Sequence, residues 1–187
     1  MSVIKSLFQT IGLMGILSAC QFNQSENPSQ TNSPKTDSQT NPAIEEFATS
    51  SNPVFESVLP ELAKKTNIDP VLPTYLPEYQ SDPPLHANLI NADGSKYQIV
   101  LGYTPDCTGQ NVCRLGNIEA EKENPSSPLK GEQTVTLNNG TEAYFTDAVC
   151  DAQCSDSTLT WKQDSVTHSV GIKAGKMETL IKIANSM

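Results

Sequence analysis

The chain has 187 residues, with 12 Lys or Arg against 21 Asp or Glu, a formal charge of −9 at neutral pH. That acidity argues against nucleic acid and against direct binding to anionic lipid headgroups, since both present phosphate charge. One apolar run stands at the N-terminus and no second long one follows, so no transmembrane helix is expected.

Lys5 gives the start a positive charge, and Leu7 to Leu17 is apolar apart from Gln9 and Thr10. A run of roughly eleven residues is too short to span a bilayer, which needs roughly twenty. A charged start, a short apolar stretch and the small residues Ser18 and Ala19 describe a secretory signal peptide. Leu17-Ser18-Ala19-Cys20 resembles the lipobox of bacterial lipoproteins. The resemblance implies cleavage before Cys20, a diacylated cysteine whose new N-terminus is often acylated too, and membrane attachment through the lipid, because two or three acyl chains hold a protein where one does so marginally. Residues 1–19 are then signal peptide. Gln21, not aspartate, follows the cysteine, which in this family points to the outer membrane in diderm cells and otherwise to the cell membrane.

Residues 20–52 form the lipidated cysteine and a tether. From Gln21 to Pro42, 18 of 22 residues are Ser, Thr, Asn, Gln or Pro, and so polar a tract cannot offset its ordering entropy by burial. About 30 flexible residues span roughly 30 Å, enough to lift a domain off the headgroups. Residues 53–187 are long enough for one domain with its own core.

Asn52-Pro53 reads as a helix cap followed by proline in the first turn, with a helix over Val54 to Lys65 burying Val58, Leu59 and Leu62. Pro60 should kink or restart it, and Thr66-Asn67 ends it. Asp69 to Tyr79 carries Pro70, Pro73 and Pro77, which forbid a helix and leave an extended segment. Strands follow at Leu85 to Ile90, Lys96 to Thr104 and, more weakly, Val112 to Glu121, with Asn91-Ala92-Asp93-Gly94 as the first turn. Asn124 to Lys130 is a Pro/Ser loop. Gln133 to Leu137 and Thr141 to Thr146 flank Asn138-Asn139-Gly140, the strongest hairpin signal, where Asn-Gly accepts positive φ at both central positions. Thr158 to Lys162 places Leu159 and Trp161 on one face, Gln163-Asp164-Ser165 turns the chain, and Val166, His168, Val170 and Ile172 alternate. After Gly175, the spacing of Met177, Leu180, Ile181 and Ala184 gives an amphipathic helix. The expected fold is α+β: an antiparallel sheet of about six strands between an N-terminal and a C-terminal helix, with helix on one face and water on the other.

Leu72-Pro73-Thr74-Tyr75-Leu76-Pro77 resembles the opening of an uncharacterised (DUF4367-like) domain of bacterial envelope proteins and lipoproteins, which often closes on a Trp-containing strand, a hairpin and a helix ending near Ala-x-Ser. Here those are Leu159-Thr160-Trp161, Val166 to Ile172, and Ile183-Ala184-Asn185-Ser186. His168 departs from the aromatic common in the family's last strand, and the cysteine pairs suggest a subgroup. The resemblance implies a fold and an envelope location, and no activity.

With Cys20 assigned to lipid, Cys107, Cys113, Cys150 and Cys154 remain. An even count in an exported chain reads as two disulfides, and Cys107–Cys113 with Cys150–Cys154 closes two short loops. The alternative is a four-thiolate zinc site, against its usual Cys-x2-4-Cys spacing. Asp147, Asp151 and Asp156 make an acidic loop without the spacing of an EF-hand. Glu119, Glu121 and Glu123 read as an exposed strand edge. No Gly-x-Ser-x-Gly or phosphate-loop motif occurs, so no catalytic residue or cofactor is assigned. Tyr75, Tyr79, Tyr97, Tyr103, Tyr144 and Trp161 read mainly as core residues of the sheet. Three functions remain: a non-enzymatic binding, sensing or assembly domain, an envelope enzyme built around His168 or His86, and a metal-binding lipoprotein.

Overall fold

The computed structural model describes residues 51–77, 80–122 and 129–187. The signal peptide, Cys20, the tether before Ser51, Tyr79, Glu123 and most of the Pro/Ser loop lie outside the described residues.

Asn52 caps a short 3-10 turn, Pro53–Phe55, its side-chain oxygen accepting from the Val54 N–H at 3.1 Å. Helix α1 then runs over Leu59–Lys65. The stretch from Val54 to Lys65 thus restarts at Pro60, as expected, because Pro60 has no N–H to give to a preceding turn and fits only at the start of a new helix. Val58, Leu59 and Leu62 are all buried.

Seven strands follow: β1 His86–Asp93, β2 Lys96–Gly102, β3 Arg114–Lys122, β4 Gln133–Thr136, β5 Glu142–Thr146, β6 Asp156–Gln163 and β7 Val166–Lys173. Helix α2, Met177–Ala184, buries Leu180, Ile183 and Ala184. The strands form one antiparallel sheet in the order β1-β2-β3-β7-β6-β5-β4. Two meanders, β1-β2-β3 and β4-β5-β6-β7, therefore meet where β3 pairs with β7. β3 lies inside the sheet, so the expected acidic edge is not an edge. Glu119 is half-buried and accepts from Gln98 Nε2 at 2.7 Å and Asn117 Nδ2 at 2.6 Å.

Register aligns like with like across the sheet. Ile99, Ile118, Val170, Leu159 and Phe145 stand in one row on the inner face. Tyr97, Ala120, His168, Trp161 and Ala143 form the next. These rows join Phe55, Leu59, Leu62, Leu180 and Ile183 in one core; burying each large aliphatic side chain contributes about 2 kcal/mol. The outer face carries Gln98, Glu119, Ser169, Thr160 and Tyr144 in register. Such a row remains hydrated without cost, as one face of an antiparallel sheet can.

Two turns differ from expectation. β1 runs on through Asn91 and Ala92 to Asp93, which pairs with Lys96, so the turn is Gly94-Ser95. Asp93 Oδ1 fixes it by accepting from the Ser95 N–H, the Ser95 hydroxyl and the Lys96 N–H, and these donors lower its pKa. A bulge between Leu89 and Asn91 turns Ile90 out on this edge strand. In the β4–β5 hairpin only Gly140 has positive φ, at 84°, and its N–H bonds to the Leu137 carbonyl at 2.9 Å. That is a three-residue loop closed by a glycine, not a two-residue Asn-Gly turn. The two-residue turn with positive φ at both positions is Asp164-Ser165, at 51° and 64°.

Candidate functional site

Two places on the domain gather polar side chains beyond the needs of the fold. The first is the end of the outer face where the two cystine loops meet. Cys107 is bonded to Cys113, and Cys150 to Cys154. All four sulfurs are consumed, which sets aside the four-thiolate zinc reading. Cys107 is buried against the outer side of β2, where a Cβ on Gly102 would come within 2.5 Å of the Cys107 Cβ. The loop covers that end of the sheet and buries Val100 on the otherwise open face.

The loops are tied to each other. Asn111 of the first donates its amide to the Gln153 side chain of the second. Arg114, the chain's only arginine, pairs with Asp156 and donates to the Asn111 side-chain oxygen at 3.2 Å. Lys173 Nζ reaches the Asn111 carbonyl at 2.8 Å. Gly171 leaves the room this needs, since a Cβ there would sit 2.3 Å from Asn117 Oδ1 and 3.2 Å from Asp156 Oδ2. Beyond this polar base, the loop tips expose Val112 at 93% and Val149 at 68%.

The acidic loop does not converge on an ion. Asp156 is taken by Arg114, while Asp147 Oδ1 accepts from the Ala148 N–H at 2.8 Å and the Ser157 hydroxyl at 3.1 Å. Among the described residues no group of three or more His, Cys, Asp or Glu is placed to hold a metal.

The second place is a cavity of about 230 Å³ beside the start of β7. Ile68, Val71, Val166 and His168 line it with Asn67, Asp69, Lys122, Gln163 and Asp164, the last five exposed. His168 is 3% exposed, stacks on Trp161 with ring centroids 5.5 Å apart, and its Nδ1 has no hydrogen-bond partner among the described residues. Burial lowers its pKa, and the negative charge of Asp164 opposes the shift. The neighbouring wall is held by Tyr97, whose hydroxyl accepts from the Val71 N–H at 3.3 Å and donates to the Val71 carbonyl at 3.2 Å. Burial pushes the Tyr97 pKa upward, so the phenol stays protonated and the donor persists. His86 lies elsewhere, lining a groove of about 470 Å³ along β1 with Glu61 and Asp106.

Sequence reasoning singled out the four cysteines, Asp156 and His168. It passed over Arg114, Asn111, Asp69 and Asp164. Arg114 carried a signal, a lone arginine directly after a cysteine. Asp69 carried none, because only the fold brings it to the cavity that His168 lines. No family model matches the chain, and neither a curated protein nor a solved structure matches it.

Proposed function

We propose that this is a lipid-anchored cell-envelope protein, acylated at Cys20 and held off the membrane by its polar tether, whose α+β domain is a non-enzymatic binding module. The paired cystine loops carry the reading. Two covalently closed loops, cross-tied by Asn111, Gln153, Arg114 and Asp156, hold Val112 and Val149 out in water. Exposed apolar tips on a pre-ordered base suit a protein partner with an apolar socket, since little ordering entropy remains to be lost on docking. The chain's acidity disfavours an anionic membrane surface as the occupant.

The test is photocrosslinking in intact cells from position 112, with position 64 on the exposed side of α1 as control. One discrete adduct from 112, absent from 64 and lost in Val149→Asp, is expected. Equal adducts from both positions would refute the loop surface as the docking site. The anchor is tested separately by metabolic labelling with a palmitate analogue. A Cys20→Ser chain that still takes label and stays with the membrane would refute it.

A second reading, an envelope hydrolase, draws on the cavity that His168 lines together with Asp69 and Asp164. The residues lining it include no Ser, Thr or Cys, so an acyl-enzyme route through a hydroxyl or thiol would need a group from outside the lining, and binding remains the better reading.

A further inference from the structure

The groove along β1 follows the edge of the strand, not one of its faces. Side chains alternate between the two faces, so a hollow over one face touches every second residue. This groove is lined by every residue from Leu85 to Ile90, about 17 Å of chain at the ordinary rise. β1 is a border strand, with β2 on one side only. Among the described residues its backbone bonds to β2 and to no other element. The second wall comes from the 3-10 turn and α1, with Val54, Val58 and Glu61. Free strand edges are commonly guarded by lysine or proline, or kept short. β4, at the other border, has four residues, whereas β1 has eight, neither guard, and a bulge only after Leu89.

We propose that this groove takes an extended, basic segment of a partner protein, which joins the sheet as a strand beside β1. The segment's backbone meets the free N–H and C=O groups of β1, the mode in which a sheet edge recognises a peptide. Val54, Val58, Leu85 and Leu89 give the lining its apolar part, and Ile90, turned out by the bulge, stands 38% exposed beyond Leu89. Charge selects the occupant. The lining holds two carboxylates, Glu61 and Asp106, and no lysine or arginine. Asp106 has no ion-pair partner among the described residues. Glu61 pairs with Lys65, but both side chains are more than half exposed and such a pair exchanges readily. The chain's own apolar stretch, Ala43 to Thr49, carries Glu45 and Glu46, and a second copy brings the same two carboxylates, so like charge disfavours both. Neither Val112 nor Val149 lines the groove, so its failure would leave the loop reading standing.

The experiment titrates the whole chain, isotope-labelled for amide NMR, with short capped peptides of alternating valine and lysine or of alternating valine and glutamate. Saturable binding of the lysine peptide is expected, with slowed hydrogen exchange between His86 and Ile90. The glutamate peptide should bind more weakly by about tenfold, and Asp106→Asn should narrow that gap. N-methylating every second amide of the lysine peptide should abolish binding in one phase of the alternation and spare it in the other, because a strand turns successive N–H groups to opposite sides. Ile90→Lys changes an exposed side chain, leaves the core intact and should weaken the lysine peptide by about tenfold. Equal affinity for the two peptides, equal tolerance of N-methylation in both phases, or no saturable response would each overturn the proposal. So would tighter peptide binding by Phe47→Asp, which would mark the chain's own stretch as the occupant. A concentration-dependent dimer dissolved by Ile90→Lys would mark a second copy and overturn it equally.

Discussion

His168 is the buried side chain whose charge the fold most directly controls. Unfolding returns it to an ordinary value near 6.5, from which burial has lowered it. Between the folded and unfolded values the unfolded chain binds the extra proton, so stability falls as pH drops through the ordinary value and levels off below the folded one. From about pH 7.5 to about pH 5.5, the urea midpoint of the native chain should fall further than that of His168→Phe, which has no such group. Parallel curves would mean that the fold does not hold the imidazole neutral. Arg114 poses the opposite case, a charge kept by a partner. Its side chain and that of Asp156 are 17% and 11% exposed. Arg114→Met leaves the Asp156 carboxylate mostly buried and alone, and should cost about 3 kcal/mol by chemical denaturation. Arg114→Met with Asp156→Leu should recover most of that, because the stranded charge is gone.

At the scale of elements, periodicity and proline made most of the chain legible. The alternation of Val166, His168, Val170 and Ile172 marks the inner face of β7, and all four are buried there. Pro60 marks where the helix must begin again. Turns were harder to read, because residue preference states only what a backbone permits. Asn139-Gly140 permits two positive φ angles and uses one; Asp164-Ser165 discourages two and has both. The register of β6 on β7, from Asp156↔Lys173 to Gln163↔Val166, leaves only two residues to turn the chain, and the pairing overrides the preference. Ser165→Gly should therefore stabilise the domain by about 0.5–1 kcal/mol, the relief of left-handed backbone less glycine's added unfolded-state entropy. Gly140→Ala should destabilise it by about 1 kcal/mol, since the space at Gly140 is open and only its φ of 84° resists a side chain. Thermal melts of the two variants, moving in opposite directions, are the check.

For the molecule as a whole, the strand order was not legible. Alternation says which face a residue takes but not which strand lies beside it. From β3 the chain passes β7, β6 and β5 to reach β4, about 19 Å at ordinary strand spacing. Nothing in the spacing of Lys122 and Gln133 announces that crossing. The same ignorance hid the cavity at His168, whose walls come from the Pro-rich segment, the end of β3 and the β6–β7 turn. The order places β3, β7 and β6 inside the sheet with β1 and β4 at its borders. Native-state hydrogen exchange should accordingly find the greatest protection at Ile118, Val170 and Leu159 and the least at Thr134 and Ile90. Protection in β4 equal to that in β7 would contradict the order.

The Pro-rich segment is gripped from both sides. The Asn52 N–H bonds the Pro73 carbonyl at 2.9 Å, and its side-chain amide bonds the Thr74 carbonyl at 3.2 Å. The Thr74 N–H bonds the Ser186 carbonyl at 3.1 Å, just beyond the end of α2. Any pull along the chain from its N-terminal side enters the domain at Asn52. It is passed to Pro73 and Thr74, then to Ser186 at the opposite end of the sequence, and beside them through Phe55 to the core. The clasp shares that load with the buried Phe55 three residues on, so tension would strain the segment on which Val71 and the cavity wall depend.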